Sequence, residues 1–217
     1  MNITALRPKV LHYIEPVSAV FIRAGMTPNQ VSALSLFFGV LCAVCYSYGL
    51  FAIGSILLFV SAVLDLVDGS VARKTDRGTK FGAVFDWIVD KYVDALVLLG
   101  IGLSGVAIIT LFAPQLPKTT DFLIVTVAII GSLMNTFIKP VVYAETGYQE
   151  RVGGKIDDPL EGVGFFGRPE TVVVLVIGGL LAPLLGPAGI AVAVLFIAVG
   201  TNLSALQRVI YLYGRLS

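Results

Sequence analysis

Long runs of apolar residues, separated by short polar connections, extend along almost the whole of this 217-residue chain. A helix needs about 20 residues to cross the hydrocarbon core of a bilayer. Runs of that order lie at 30–48, 50–72, 82–104, 122–143, 170–186 and 188–212. The pattern therefore predicts an all-α integral membrane protein with six transmembrane helices.

The first 28 residues mix apolar and polar positions instead of forming one apolar run. Such a mixture is typical of an amphipathic helix that lies along the membrane interface. Thr27 is expected to cap the first transmembrane helix, and Pro28 suits its first turn. We expect a single domain over 1–217, made of an interfacial segment, 1–28, and a six-helix bundle, 29–217.

Composition and charge agree with a membrane location. Hydrophobic residues make up 57% of the chain and charged residues 13%, whereas soluble domains carry about 25% charged residues. Basic residues concentrate at both termini and in the second-to-third and fourth-to-fifth connections, and the other connections contain only Lys118. Because basic loops stay in the cytoplasm, we predict a multi-pass cell-membrane protein with both termini cytoplasmic. A net charge of +1 gives no sign of a nucleic-acid partner.

Four aspartates interrupt the apolar pattern, at Asp65, Asp68, Asp86 and Asp90. A carboxylate at membrane depth is costly and usually marks a functional site. The first two are three residues apart and the last two are four apart, so each pair shares one face of its helix. Because the connection between the two helices is short, we expect them to be antiparallel neighbours whose carboxylates converge at the cytoplasmic edge.

Converging carboxylates repel one another, so cations are needed between them. Divalent ions with oxygen ligands, such as Mg²⁺, are the simplest solution, and pairs of such ions recur in phosphoryl chemistry. The small side chains of Gly69, Ala72 and Gly82 leave room there for a diphosphate. Arg73 and Thr79 can donate hydrogen bonds to its phosphate oxygens. The stretch therefore predicts a metal-dependent diphosphate site.

This stretch resembles the CDP-alcohol phosphotransferase family, whose pattern is D-x-x-D-G-x-x-A-R, eight residues, then G-x-x-x-D-x-x-x-D. The chain fills every fixed position, with Asp65, Asp68, Gly69, Ala72, Arg73, Gly82, Asp86 and Asp90. The resemblance implies that the four aspartates hold two divalent ions, Mg²⁺ or Mn²⁺, which bind the diphosphate of a CDP-linked donor. It implies that Asp90 is also the catalytic base that deprotonates the acceptor hydroxyl.

The same resemblance implies a set of residues around the CDP group. This set consists of Asn29, Gln30, Ser32, Gly69, Ala72, Arg73, Thr79 and Gly82. Members of the family are often dimeric, so the resemblance also leaves a homodimer open.

Four polar residues near the ends of the later spans bear on the acceptor: Thr136, Lys139, Arg168 and Arg208. Inward-facing Lys and Arg side chains suit a phosphorylated molecule. The set resembles the branch that makes phosphatidylinositol phosphate or archaetidylinositol phosphate. That resemblance implies transfer of a phosphatidyl or archaetidyl group from a CDP-linked lipid to inositol phosphate, with release of CMP. Glycerol phosphate or serine as acceptor, a soluble CDP-alcohol as donor, and snorkelling of the basic side chains to lipid headgroups stay open.

Two other classes of membrane protein use acidic sites. An intramembrane prenyltransferase normally has two separated acidic motifs, whereas these four aspartates lie within 26 residues. A cation transporter is expected to place its acids near the bilayer midplane on broken helices. Asp94 continues the helix face of Asp90, but a salt bridge with a nearby basic residue explains it at least as well; the candidates are Arg73, Lys74, Arg77, Lys80 and Lys91. The polar segment 143–167 is either a lid over the site or a solvated connector.

Overall fold

The computed structural model describes residues 7–146, 151–152, 155–156, 160 and 162–216 of the chain. The helices in these ranges are α1 (Arg7–Arg23), α2 (Pro28–Ser47), α3 (Phe51–Thr75), α4 (Lys80–Leu103), α5 (Thr119–Thr146), α6 (Arg168–Leu180), α7 (Ala182–Leu185) and α8 (Ala188–Leu216). Two strands of two residues each, β1 (Arg151–Val152) and β2 (Lys155–Ile156), pair antiparallel. The described part of the chain is therefore helical apart from this short pairing, as the sequence predicts.

Within the described ranges, four helices are long and apolar enough to cross a membrane, namely α2, α3, α5 and α8. They correspond to the first, second, fourth and sixth predicted spans. The third predicted span corresponds to α4, which carries four charged residues from its seventh to its fifteenth position that interrupt its apolar run, namely Asp86, Asp90, Lys91 and Asp94. The chain therefore has the apolar helices of a membrane protein.

The fifth predicted span, 170–186, is wrong as a single helix. The helix α6 begins at Arg168 and ends at Leu180, and the four-residue α7 follows it. Pro183 lies in the first turn of α7. Proline is tolerated at that position but cannot donate a hydrogen bond inside a continuous helix, which accounts for the break.

Local capping explains where two of the central helices begin. Thr27 Oγ1 accepts a hydrogen bond from the Gln30 backbone N–H at 3.3 Å, and Gln30 Oε1 accepts one from the Thr27 N–H at 2.8 Å. This reciprocal pair is a capping box and confirms the predicted role of Thr27. At α4, Thr79 Oγ1 accepts a hydrogen bond from the Gly82 N–H at 2.9 Å. Between the two helices, α3 ends at Thr75, and the φ of 50° at the next residue, Asp76, turns the chain away from the helix.

The helix α2 lies between α3 and α4, and it packs closely against both of them. The other closely packed pairs include α5 with α8, α3 with α6, and α4 with α5. The prediction that α3 and α4 are direct neighbours is therefore wrong along their length. Their charged ends do face each other through side chains, as predicted, since carboxylate oxygens from the two helices lie within 4.8 Å of one another. Small residues allow the approach of α4 to α2, because Gly39 faces Val93 and Gly100 faces the Ala43 backbone.

The helix α1 packs against α3. On α1, Ile14 and Ser18 are buried, whereas Tyr13 is exposed. This one-sided burial agrees with the predicted amphipathic helix. Large apolar side chains are exposed along the outer faces of the other helices, for example Phe37 and Ile130. Such surfaces suit contact with lipid tails, which are as apolar as these side chains.

Candidate active site

Three of the predicted metal ligands come together where side chains of α3 and α4 meet. Carboxylate oxygens of Asp65, Asp68 and Asp86 all lie within 4.8 Å of one another. We call these residues the acid triad. Asp68 is buried and the other two are half-buried. Hard divalent cations prefer such oxygen ligands, so the triad fits a metal ion as the sequence predicts.

The predicted base, Asp90, lies beside Arg168. Arg168 Nη2 is 2.9 Å from Asp90 Oδ1, and Arg168 Nη1 is 2.7 Å from Asp65 Oδ2. The third guanidinium nitrogen, Nε, is 3.2 Å from Asp94 Oδ1. Arg168 therefore connects α6 to both α3 and α4. The sequence predicts Arg168 as an acceptor ligand, and the structure places it directly next to the acid triad.

Asp94 belongs to the same network and has a second cationic partner. Lys91 Nζ is 2.9 Å from Asp94 Oδ2 and donates a hydrogen bond to Thr136 Oγ1 at 3.1 Å. The predicted salt bridge between Lys91 and Asp94 is therefore confirmed. It also links α4 to Thr136, one of the four predicted acceptor ligands.

Predicted CDP-binding residues from separate segments converge at the start of α4. A Cβ atom on Gly82 would lie 2.8 Å from Asn29 Oδ1 and 3.1 Å from Thr79 Oγ1. One turn along α2 from Asn29, the Ser32 hydroxyl donates a hydrogen bond to Asp68 Oδ2 at 2.5 Å. The start of α2 therefore joins this group directly to the acid triad.

The remaining residues predicted to bind CDP lie in two places: Gly69, Ala72 and Arg73 on α3, and Gln30 at the start of α2. On α3, a Cβ on Gly69 would lie 3.3 Å from Arg73 Nη1, so the guanidinium folds back over the glycine. Ala72 is half-buried on the same helix. Gln30 is exposed, and its side-chain oxygen is used in the capping box with Thr27. The described contact of Gln30 is thus with the helix end rather than with the acid triad.

Lys139 lies one turn beyond Thr136 on α5 and is half-buried. The helix continues through Pro140 to Thr146. Although a proline follows it, Lys139 therefore does not lie at a helix end. Its position on α5 keeps it on the same stretch of helix as Thr136.

Arg208, the last predicted acceptor ligand, is only 6% exposed. Its Nε donates a hydrogen bond to the Val163 carbonyl at 3.0 Å, and its Nη1 donates one to the Asn135 carbonyl. In this structure the Arg208 guanidinium therefore ties α8 to α5 and to the segment that precedes α6.

Two more side chains hold that segment, 163–167. Asn135 Nδ2 donates a hydrogen bond to the Phe166 carbonyl at 2.7 Å, and Ser204 Oγ accepts one from the Phe166 N–H at 3.4 Å. The segment leads directly into Arg168. Side chains of α5 and α8 therefore fix the chain that delivers Arg168 to the acids.

The sequence alone did not identify Asn135 and Ser204 as parts of this region. For Asp94, the i, i+4 spacing from Asp90 was the sequence signal that placed its side chain on the same helix face. Asn135 and Ser204 carry no such signal, because single uncharged polar residues in apolar helices usually serve packing. Of the 25 residues of the segment predicted as lid or connector, 143–167, ten lie outside the described residues, so that prediction is not tested.

Comparison with known proteins identifies the family. Residues 25–204 match the family model of the CDP-alcohol phosphatidyltransferases, a span that includes the whole acid triad. The chain belongs to this family. The match confirms the family and the class of enzyme that the aspartate pattern predicts.

Similar proteins include synthases of inositol lipids. The archaetidylinositol phosphate synthase of Methanothermobacter thermautotrophicus is 24% identical over 97% of this chain and 93% of its own length. The phosphatidylinositol phosphate synthase of Mycolicibacterium smegmatis is 32% identical over 89% and 81%. The archaetidylinositol phosphate synthase of Pyrococcus horikoshii is 33% identical over a shorter part, 48% of this chain and 55% of that protein.

Solved structures with the same fold come from the phosphatidylinositol phosphate synthase of Mycobacterium tuberculosis. A crystal structure with CDP-DAG bound matches with a TM-score of 0.69 at 22% identity, covering 90% of this chain and 91% of that one. A complex with manganese and citrate matches with a TM-score of 0.70, covering 90% and 87%. These matches establish the fold.

Proposed function

We propose that this enzyme transfers a phosphatidyl or archaetidyl group from a CDP-linked lipid to a hydroxyl of inositol phosphate and releases CMP. The observation that carries the proposal is the direct contact of Arg168 with Asp65 of the acid triad. Lys91 adds a second cation nearby, because it shares Asp94 with Arg168. Such a site offers metal ligands for the donor diphosphate and positive charge for an acceptor phosphate. Relatives that align over most of this chain are named for this reaction.

On the donor side, we place two divalent ions, Mg²⁺ or Mn²⁺, on the acid triad and Asp90. When bound, such ions neutralise the diphosphate and stabilise the charge that develops on the oxygens of the bond that breaks. Asn29, Thr79 and Gly82 adjoin the triad and form the nearest group for the cytidine part. Gly69 and Arg73 lie on the same helix as Asp65 and Asp68, within reach of phosphate oxygens.

On the acceptor side, Asp90 takes the proton of the attacking hydroxyl. The hydroxyl oxygen then forms a bond to the phosphorus that carries the lipid. The bond from that phosphorus to the CMP oxygen breaks, and CMP leaves with the electron pair. Arg168 lies 2.9 Å from Asp90 and can hold the acceptor phosphate close to this base. Thr136, Lys139 and Arg208 are the further residues of the acceptor side.

The proposed arrangement in the membrane follows the distribution of basic residues. We place α4 and α6 in the membrane together with the four long apolar helices, in one domain over 1–217. Both termini and the site then face the cytoplasm of the cell membrane. A lipid donor reaches such a site from the bilayer, and a water-soluble acceptor reaches it from the cytoplasm. A homodimer is compatible with the exposed apolar helix faces.

The test is CMP release by the purified protein with CDP-diacylglycerol and Mg²⁺, supplied in parallel with inositol phosphate, glycerol phosphate or serine. We expect release with inositol phosphate alone and loss of release when EDTA is added. Asp86→Asn should abolish release, whereas the matched control Asp121→Asn, which changes a buried aspartate away from the triad, should retain it.

Release with a different acceptor would replace inositol phosphate in the proposal. If CDP-archaeol and Mn²⁺ also gave no release with any acceptor, the proposed lipid donor would be wrong. A soluble CDP-alcohol donor would then be the substrate to test.

A further inference from the structure

Asp94 is a buried carboxylate that lies outside the aspartate pattern of the family. Its side chain is 3% exposed, compared with 16% for Asp65 and 20% for Asp90. It follows Asp90 by one helical turn on α4. A carboxylate buried this far must have partners that compensate its charge.

Both oxygens of Asp94 face cations. Arg168 Nε lies 3.2 Å from Oδ1, and Lys91 Nζ lies 2.9 Å from Oδ2. Lys91 also donates a hydrogen bond to Thr136 Oγ1. One carboxylate therefore fixes two cations and connects α4 with α6 directly and with α5 through Thr136.

The contact at Nε sets the direction of the whole Arg168 guanidinium. The group is planar and its donors have a fixed geometry. When Asp94 holds Nε, Nη1 donates a hydrogen bond to Asp65 Oδ2 at 2.7 Å, and Nη2 lies 2.9 Å from Asp90 Oδ1. Without this contact, the long side chain regains rotamer freedom, which opposes any single orientation.

We propose that Asp94 is a positioning residue that holds Arg168 and Lys91 at the border between the acid triad and the acceptor. It contacts neither substrate. Its effect on catalysis passes through the two cations, which it keeps facing the acceptor phosphate. The identity of that acceptor rests on the proposed function, whereas the positioning of Arg168 does not.

The first experiment measures the position of Arg168 without any turnover. Phenylglyoxal modifies accessible guanidinium groups, and peptide mass spectrometry reads the labelling rate at Arg168 with exposed Arg73 as the internal reference. We compare the wild type with Asp94→Asn and with Asp121→Asn, a control at a similarly buried aspartate. Labelling at Arg168 should rise severalfold only in Asp94→Asn. An unchanged rate in that variant would overturn the proposal.

The second experiment separates positioning from simple stabilisation. In CMP-release assays, Asp94→Asn should raise the KM for inositol phosphate about tenfold, because Arg168 loses the charge-assisted contact that orients it toward the acceptor phosphate. The KM for the CDP-lipid should stay unchanged. A merely structural role would lower the thermal midpoint and change both KM values alike, and that result would contradict the proposal.

If the wild type turned over no acceptor, the proposed function would fail, and labelling would still decide the role of Asp94. If Asp94→Asn did not fold, the double variant Asp94→Asn/Lys91→Met removes both charges and leaves no ammonium buried without its partner. It should show the same rise in Arg168 labelling. A wild-type rate in the double variant would overturn the proposal.

Discussion

Two buried aspartates in different parts of the bundle are satisfied in different ways. Asp121, at the start of α5, is 7% exposed and accepts hydrogen bonds from the Ile108 N–H at 2.9 Å and the Thr110 N–H at 3.0 Å. The Thr110 hydroxyl donates a further one at 2.5 Å. All of these donors are neutral and belong to one short segment, so Asp121 closes the connection between α4 and α5.

Asp94, in contrast, is compensated by the charged side chains of Arg168 and Lys91. A hydrogen bond from a neutral backbone donor serves mainly to stabilise the local fold. A charged side chain can also bind a substrate phosphate or share a site with a metal ion. The difference indicates that a buried aspartate with cationic side-chain partners belongs to the candidate active site, whereas Asp121 stabilises the fold.

Among substitutions outside the acid triad, the largest effect is expected at Asp90. Asp90→Asn keeps the size of the side chain but removes the base, so kcat for CMP release should fall by about 10²- to 10⁴-fold. Binding of the CDP-lipid, measured by displacement of a labelled donor, should change little. Normal turnover in Asp90→Asn would show that another group takes the proton.

Arg208→Ala should have the next largest effect. It removes the hydrogen bonds to Val163 and Asn135, so segment 163–167 and Arg168 lose support. The KM for inositol phosphate should rise about tenfold and the KM for the donor much less. Equal changes in both values would argue against a role on the acceptor side.

Asn135→Ala tests whether Arg208 acts by holding segment 163–167 or by contacting the acceptor phosphate directly. This variant removes the hydrogen bond to Phe166 without changing any charge. If Arg208 acts by holding the segment, Asn135→Ala should raise the acceptor KM as well. If only Arg208→Ala raises it, Arg208 contacts the acceptor phosphate directly.

A smaller effect is expected at Gly82. The new Cβ of Gly82→Ala would lie 2.8 Å from Asn29 Oδ1, so the end of that flexible side chain must move. The donor KM should rise by up to about tenfold, and the acceptor KM should not change. Gly214→Ala, at a position with open space around it, is the matched control. If Gly82→Ala acts through Asn29, the double variant Asn29→Ala/Gly82→Ala should have the same donor KM as Asn29→Ala alone. A difference between these two values would refute that explanation.

Asp121→Asn should affect catalysis least. The loss of a carboxylate that accepts three hydrogen bonds should lower the free energy of unfolding by about 1–3 kcal/mol. Both KM values should match the wild type. A raised acceptor KM with unchanged thermal stability would show that Asp121, like Asp94, acts on the acceptor side, and would contradict a purely structural role for Asp121.

The sequence predicted the features that depend on local spacing. The helices follow from long apolar runs, the cap at Thr27 follows from its neighbours, and the convergence of Asp65, Asp68 and Asp86 follows from i, i+3 and i+4 positions on helices joined by a short connection. The acidic cluster that could hold a metal ion was predictable for the same reason.

Contacts between distant segments were not predictable in this way. No spacing rule brings Arg168 to Asp65, 103 residues earlier in the chain. The position of α2 between α3 and α4 depends on small residues such as Gly39 and Gly100, whose partners become known only when the helices are packed. The buried hydrogen bonds of Arg208 to backbone carbonyls likewise depend on the folded path of 163–167.

The most direct test of the acid triad is Mn²⁺ binding, followed by electron paramagnetic resonance, in the wild type, Asp86→Asn and Asp121→Asn. Loss of a residue that only supports a metal ligand already weakens binding by about 10–100-fold, so loss of a ligand itself should weaken it by at least as much. We predict that weakening in Asp86→Asn and wild-type affinity in Asp121→Asn. Wild-type affinity in Asp86→Asn would contradict a metal site on the triad.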